Sequence, residues 1–199
     1  MARCAVLAGG LAVAAALALL GCARRAQPLP VLGQVPAFHL VDERGAAFTD
    51  AAMKGHASVV DFVFTRCPSS CPRLTARMGE LQGRLAKDAS PVRLVSISVD
   101  PENDTPPVLA AYAAKAGADL ARWSFVTGPA DDVTRAVVLG FKVSAEKVTT
   151  GAGDYDVTHG DWFVLVDASG AIRGYYPTEE AADFDRLVAD AENLETGAH

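Results

Sequence analysis

Residues 57–72 read ASVVDFVFTRCPSSCP. The run from Ala57 to Thr65 is rich in β-branched and aromatic side chains and predicts a buried central strand. That strand leads directly into Cys67, and Cys71 follows after three intervening residues. Open α/β sheets hold ligands outside the carboxyl ends of their strands, so both cysteines stand where a site is expected. Pro72 fits the first helical position, which makes Cys71 the N-cap and leaves both thiols in the turn before the helix. A thiol there feels the positive end of the helix dipole, which lowers its pKa and raises its thiolate fraction; Arg66 adds to that field.

Outward from this stretch, apolar residues at helical spacing (Leu74, Met78, Leu81, Leu85) predict a helix, and Val92 to Val99 predicts a second strand. Thr105 opens another helix, with Pro106 and Pro107 in its first turn and Leu109, Tyr112 and Ala113 on one face. Trp123 to Thr127 reads as a third strand, Pro129 to Leu139 as a short helix, and Phe141 to Val143 as a short strand. Trp162 to Val166 and Ala171 to Tyr176 form a hairpin across the turn Asp167-Ala168-Ser169-Gly170, and Phe184 to Leu194 is a closing helix. Before the central strand, His39-Leu40-Val41 and Ala46-Ala47-Phe48 flank a polar turn and predict a small edge hairpin. Helix-crossed parallel strands, then an antiparallel hairpin and a terminal helix, give an α/β fold. It is a thioredoxin-like mixed sheet with helices on both faces.

The N-terminus reads as an export segment: Arg3, an apolar run from Ala5 to Leu20, then small residues. Leu19-Leu20-Gly21-Cys22 resembles the bacterial lipobox. Residues 1–21 are therefore expected to be a lipoprotein-type signal peptide and Cys22 the lipid-modified mature terminus. An uncleaved membrane anchor fits less well, because the apolar run falls short of the roughly 20 residues needed to span and Arg24 and Arg25 follow it. Residues 22–36, which include the proline-rich AQPLPVLGQVP, read as an extended tether, and 37–199 as one domain. The expected location is the periplasmic side of a bacterial membrane, held by lipid. A net charge of −6, with no basic stripe, excludes nucleic acid as a partner.

Of the four cysteines, Cys4 leaves with the signal and Cys22 is assigned to lipid, so Cys67 and Cys71 must answer to each other. Their wide loop allows a redox-active disulfide, a metal site, or an inert staple in an exported protein. Among the histidines, His39, His56 and His199 lie in an edge strand, a turn and the tail. His159 stands just before the Trp162 strand, where thioredoxin-like proteins usually carry a proline facing their cysteines. Two thiolates and an imidazole are soft and borderline donors, a set that suits copper as Cu(I) or Cu(II). Capture requires both thiols reduced, so oxidation would switch binding off.

Cys67-Pro68-Ser69-Ser70-Cys71-Pro72, Val99-Asp100-Pro101-Glu102-Asn103-Asp104-Thr105-Pro106 and Tyr155 to His159 occur in one order, and together they resemble the Sco/SenC family of copper proteins. Ser69 stands where the family often has an acidic residue, and Gly160 where a serine is common. The resemblance spans roughly Phe38 to Leu194. It implies a thioredoxin-like fold, copper held by Cys67, Cys71 and His159, and a role in building the binuclear copper site of cytochrome c oxidase. The partners it implies are the copper-bearing subunit of that oxidase or another copper chaperone. Asp100 is read either as orienting the site or contacting a partner, or as structural together with Asp104, which is read as a helix cap. The alternative function is an exported thiol-disulfide oxidoreductase that keeps partner cysteines reduced through Cys67 and Cys71. A peroxidase using Cys67 beside Thr65 and Arg66 is a third reading.

Overall fold

The computed structural model describes residues 28–67, 71–143, 145–151, 154–159 and 161–196, with the segments between 145 and 159 described through their backbone. In chain order the elements are β1 (Gly33–Gln34), β2 (His39–Asp42), β3 (Ala47–Thr49), β4 (Ser58–Val63), α1 (Cys71–Lys87), β5 (Arg93–Ser98) and α2 (Pro106–Ala116). There follow β6 (Trp123–Thr127), α3 (Ala130–Thr134) running into a π turn (Arg135–Gly140), β7 (Ala145–Gly151), β8 (Asp154–His159), β9 (Trp162–Val166), β10 (Ala171–Pro177) and α4 (Ala181–Thr196). Eight strands form one sheet in the order β1-β10-β9-β4-β5-β6-β2-β3, and β7 and β8 form a separate ribbon.

β4 is central, and all of its residues are buried. It runs parallel to β5, with Val59 opposite Leu94 and Val63 opposite Ser98, and β5 runs parallel to β6. On its other side β9 is antiparallel, and β10 turns back along β9. Side chains alternate across a strand, so β4 feeds two cores. Val59 and Val63 pack with Leu74, Met78, Leu81 and Leu85 of α1, Leu109 of α2 and Phe184 of α4. Val60 and Phe62 pack with Val133 and Val137 of the α3 segment. Helices therefore cover both faces, as the sequence predicts.

The four- and three-residue spacing of the apolar positions in α1 puts Leu74, Met78, Leu81 and Leu85 on one buried stripe. α2 starts with two prolines after Thr105, and its end is set by Gly117 in the left-handed region (φ 67°), whose N–H returns to Ala113 and Ala114. The predicted edge hairpin is β2–β3, in which the Asp42 carboxylate accepts the N–H groups of Arg44 and Ala46 at 2.9 Å each.

Three expectations are corrected. Phe141 to Val143 is not a strand: Phe141 follows the π turn and packs its ring edge-on against Phe62 at 5.5 Å, so burial and not pairing explains its apolar character. His159, expected in the stretch just before the Trp162 strand, instead ends a strand of its own: Ala145–Gly151 and Asp154–His159 pair as β7 and β8, with Ala145 opposite His159. The helix after the cysteines begins at Cys71, one residue earlier than Pro72. In addition, Gly33 and Gln34 already pair with Ile172 and Ala171, so the proline-rich segment is tied into the sheet before Pro36. The export segment and Cys22 lie outside the described residues. Among the described residues, no helix is long and apolar enough to cross a membrane.

Candidate metal-binding and thiol site

β4 ends at Val63, and the chain turns through Thr65 and Arg66 to Cys67 before α1 begins at Cys71. Both cysteines are buried, with Cys67 8% and Cys71 1% exposed. The Cys71 N–H donates to the Cys67 sulfur at 3.4 Å, so the first turn of α1 aims a donor at Cys67. The fold thus brings the pair together at the head of α1.

The two thiols face different surroundings. Cys67 lines a groove of about 420 Å³ between α1 and α2, with Thr65, Thr75, Gly79, Tyr112 and Lys115. Cys71 points into the core. Burial pushes its thiol well above the ordinary range; a hydrogen bond with the Phe64 backbone draws it partly back, and Cys67 and Asp61 push it further up. The sequence reading gave weight to the helix dipole, which favours thiolate. Desolvation is the larger effect for Cys71, so its expected thiol lowering is overturned.

The loop carrying Cys67 is held from β5. Asp104 is fully buried and accepts the Thr65 N–H at 3.1 Å, the Thr65 hydroxyl at 2.6 Å and the Ser98 hydroxyl at 2.6 Å. It ties the ends of β4 and β5 together. The expectation that Asp104 is structural holds, but through these bonds: Thr105 caps α2 and makes no side-chain cap bond. Asp100 is also buried. It accepts from the Arg66 guanidinium at 3.3 Å and from the Asn103 amide at 2.9 Å, and its own N–H donates to the Ser98 hydroxyl at 3.1 Å. It therefore aims Arg66, the neighbour of Cys67.

His159 ends β8, and its side chain is outside the described set. The backbone position is bounded from the downstream side. Asp161, two residues on, lies 4.0 Å from the Arg73 guanidinium, two residues after Cys71, and its carbonyl accepts the Thr178 hydroxyl at 3.2 Å. Among the described residues, no three His, Cys, Asp or Glu side chains gather as a metal site.

One buried acid escaped the sequence reading. Asp61, in the middle of β4, is 0% exposed and neither carboxylate oxygen has a hydrogen-bond partner of good geometry among the described residues. Burial raises its carboxyl to about 7; Ser96, directly across on β5, lowers it only in part. The Ser96 hydroxyl is itself taken up as acceptor by the Trp123 indole at 2.9 Å. A charged residue inside VVDFVF was the available signal.

A family model described as SCO1/SenC matches residues 31–194. The chain belongs to the SCO1/SenC family. Similar solved structures include Bradyrhizobium japonicum ScoI with copper bound, at 29% identity and TM-score 0.67, covering 78% of this chain and 99% of that one. A SCO1/SenC family lipoprotein from Bacillus anthracis matches at 30% identity and TM-score 0.75, covering 83% of this chain and 96% of its own. BsSco, a member of the Sco family of cytochrome c oxidase assembly proteins in which a disulfide switch was identified, matches at 31% identity and TM-score 0.73, covering 85% of this chain and 99% of that one. These relatives share the thioredoxin-like sheet and helices of this Sco-family chain.

Proposed function

We propose that this Sco-family protein binds copper through the Cys67 and Cys71 thiolates and the His159 imidazole, and carries it to the binuclear copper site of cytochrome c oxidase. The observation that carries the proposal is the cysteine pair at the head of α1, with the Cys71 nitrogen 3.4 Å from the Cys67 sulfur. Two sulfurs and an imidazole nitrogen form a donor set that suits copper better than hard cations. The tie between Asp161 and Arg73 supports bringing the segment after His159 beside the start of α1. Family membership and a copper-bound relative support the cargo, and a relative among cytochrome c oxidase assembly proteins supports the destination.

In this account the cargo ion displaces the thiol protons on binding, which overcomes the desolvation that keeps Cys71 protonated. Few ligands and an open groove at Cys67 let an acceptor's donors replace the protein's own by exchange. Cys22, lipid-modified, and the residues between it and β1 tether the domain to the outer face of a bacterial membrane; the lipoprotein relative supports this location. The test is transfer: the copper-loaded soluble domain, mixed with the copper-free acceptor domain of the oxidase, gives the absorption of a binuclear copper centre. No transfer to that acceptor, from protein that does hold copper, overturns the destination.

A second reading, an exported thiol-disulfide oxidoreductase, has its own support: Cys67 opens to the groove while Cys71 lies behind it, an attacking thiol backed by a resolving one. It does not need His159. Full biological complementation by His159→Ala would favour it over copper carriage.

A further inference from the structure

The groove beside Cys67 runs between two helices. Pro72, Thr75, Ala76 and Gly79 line it from α1, residues spaced to share one helix face, and Tyr112, Lys115 and Ala116 line it from α2. A hydrogen bond of 2.7 Å between the Thr75 and Tyr112 hydroxyls joins the two walls. At about 420 Å³ the groove falls in the usual range of binding clefts, about 300–1,000 Å³. Gly79 faces open space: a Cβ built there meets nothing within 4 Å. Charge marks it as well. The whole chain carries −6, yet among the described residues the groove lining contains no carboxylate and one cation, Lys115, for which there is no ion pair.

We infer that this groove receives an extended segment of the partner protein bearing a cysteine with an acidic side chain close to it, so that the partner's sulfur meets Cys67 while its carboxylate meets Lys115. The inference rests on the proposed role of Cys67 as the accessible thiol. The Thr65 hydroxyl, whose proton goes to Asp104, and the hydrogen-bonded Thr75 and Tyr112 hydroxyls keep oxygen lone pairs that can accept a peptide N–H, and the small Ala76 and Gly79 leave room for it. A neighbouring acid selects the segment by sign. A cleft that touches the reactive sulfur makes docking and reaction one event.

The experiment uses the anaerobically reduced soluble domain with Cys71→Ser, which stops at the mixed disulfide, and follows release of a coloured aryl thiolate. Probes are short cysteine peptides activated as aryl disulfides, flanked by glutamate or by lysine, and a small aryl disulfide without peptide. The Cys67 thiolate attacks the peptide sulfur, a new S–S bond forms, the aryl thiolate leaves with the electron pair, and the thiol proton passes to buffer. The acidic peptide is expected to react about two- to fivefold faster than the basic one at low salt, the scale of one exposed ion pair. Lys115→Glu reverses that order, and salt erases it. Gly79→Leu and, separately, Ala76→Tyr slow both peptides and leave the small disulfide unchanged. Equal rates for both peptides together with no effect of either groove-filling variant overturn the groove assignment. If Cys67 is inert even to the small disulfide, the accessible-thiol reading fails first, and the groove assignment falls with it.

Discussion

Replacing Asp61 with asparagine should stabilise the protein most where the native carboxyl is charged. The side chain is wholly buried, neither oxygen is hydrogen-bonded with good geometry among the described residues, and burial raises the group from 3.8 to about 7. The unfolded chain gives up this proton near pH 4, while the folded protein keeps it to about pH 7. Between those values the unfolded state binds fewer protons, so the free energy of unfolding falls as pH rises, by about 1.4 kcal/mol per unit, and levels off above pH 7. Across roughly three units the loss reaches about 4 kcal/mol, a large share of the ~5–15 kcal/mol typical of a domain. Asparagine keeps the shape and cannot ionise. Urea unfolding of the reduced protein and of Asp61→Asn at pH 4.5, 6 and 8 isolates the effect as a difference of pH profiles. Other titrating groups, such as Asp42 and Asp167, whose carboxyls lie below the usual range, cancel in that comparison. The advantage of the variant should grow steadily from pH 4.5 to pH 8. Parallel profiles would refute the claim that a desolvated carboxyl sits in β4.

Asp104→Ala should cost about 2–4 kcal/mol, because it strands the Thr65 N–H and the hydroxyls of Thr65 and Ser98 inside the protein. It should also quicken Cys67 labelling by a small thiol reagent, since the loop loses its anchor to β5; a variant with native urea midpoint and native labelling rate would count against that anchoring. Gly140→Ala should lower stability by about 1–3 kcal/mol, because the new Cβ would lie 2.6 Å from Cδ and 2.8 Å from Cγ of Pro36, atoms of a ring fixed to the backbone. Thermal unfolding reads this directly, and an unchanged midpoint would mean that the contact yields without strain.

The parts of the fold that were legible in sequence are those whose pattern follows from burial. ASVVDFVFT announces β4 through β-branched and aromatic residues, and Leu74, Met78, Leu81 and Leu85 announce α1 through their spacing, because each pattern is what one buried face requires. The β7–β8 ribbon was illegible for the opposite reason. AEKVTTG and DYDVTH carry few apolar residues, and the two strands pair with each other outside the main sheet. Phe141 misled in the other direction, since a buried aromatic without strand pairing looks the same in sequence as one within a strand. At the site, chain order alone placed Cys67 and Cys71 at the sheet's carboxyl end. It could not say which of two forces governs Cys71, because the helix start is local and visible whereas burial depends on Leu74, Phe163 and other residues far apart in the chain. Asp61 went unnoticed because one acid in a strand matches ordinary in–out alternation until both faces prove to be covered.

The most direct test of the central claim is copper titration of the anaerobically reduced soluble domain, with X-ray absorption of the bound ion, beside Cys67→Ser, Cys71→Ser and His159→Ala. The account predicts one tightly held copper bonded to two sulfurs and an imidazole nitrogen, with each substitution removing its own donor and weakening retention while the fold persists. Unchanged copper affinity and an unchanged nitrogen contribution in His159→Ala, or full retention in either cysteine variant, would contradict it.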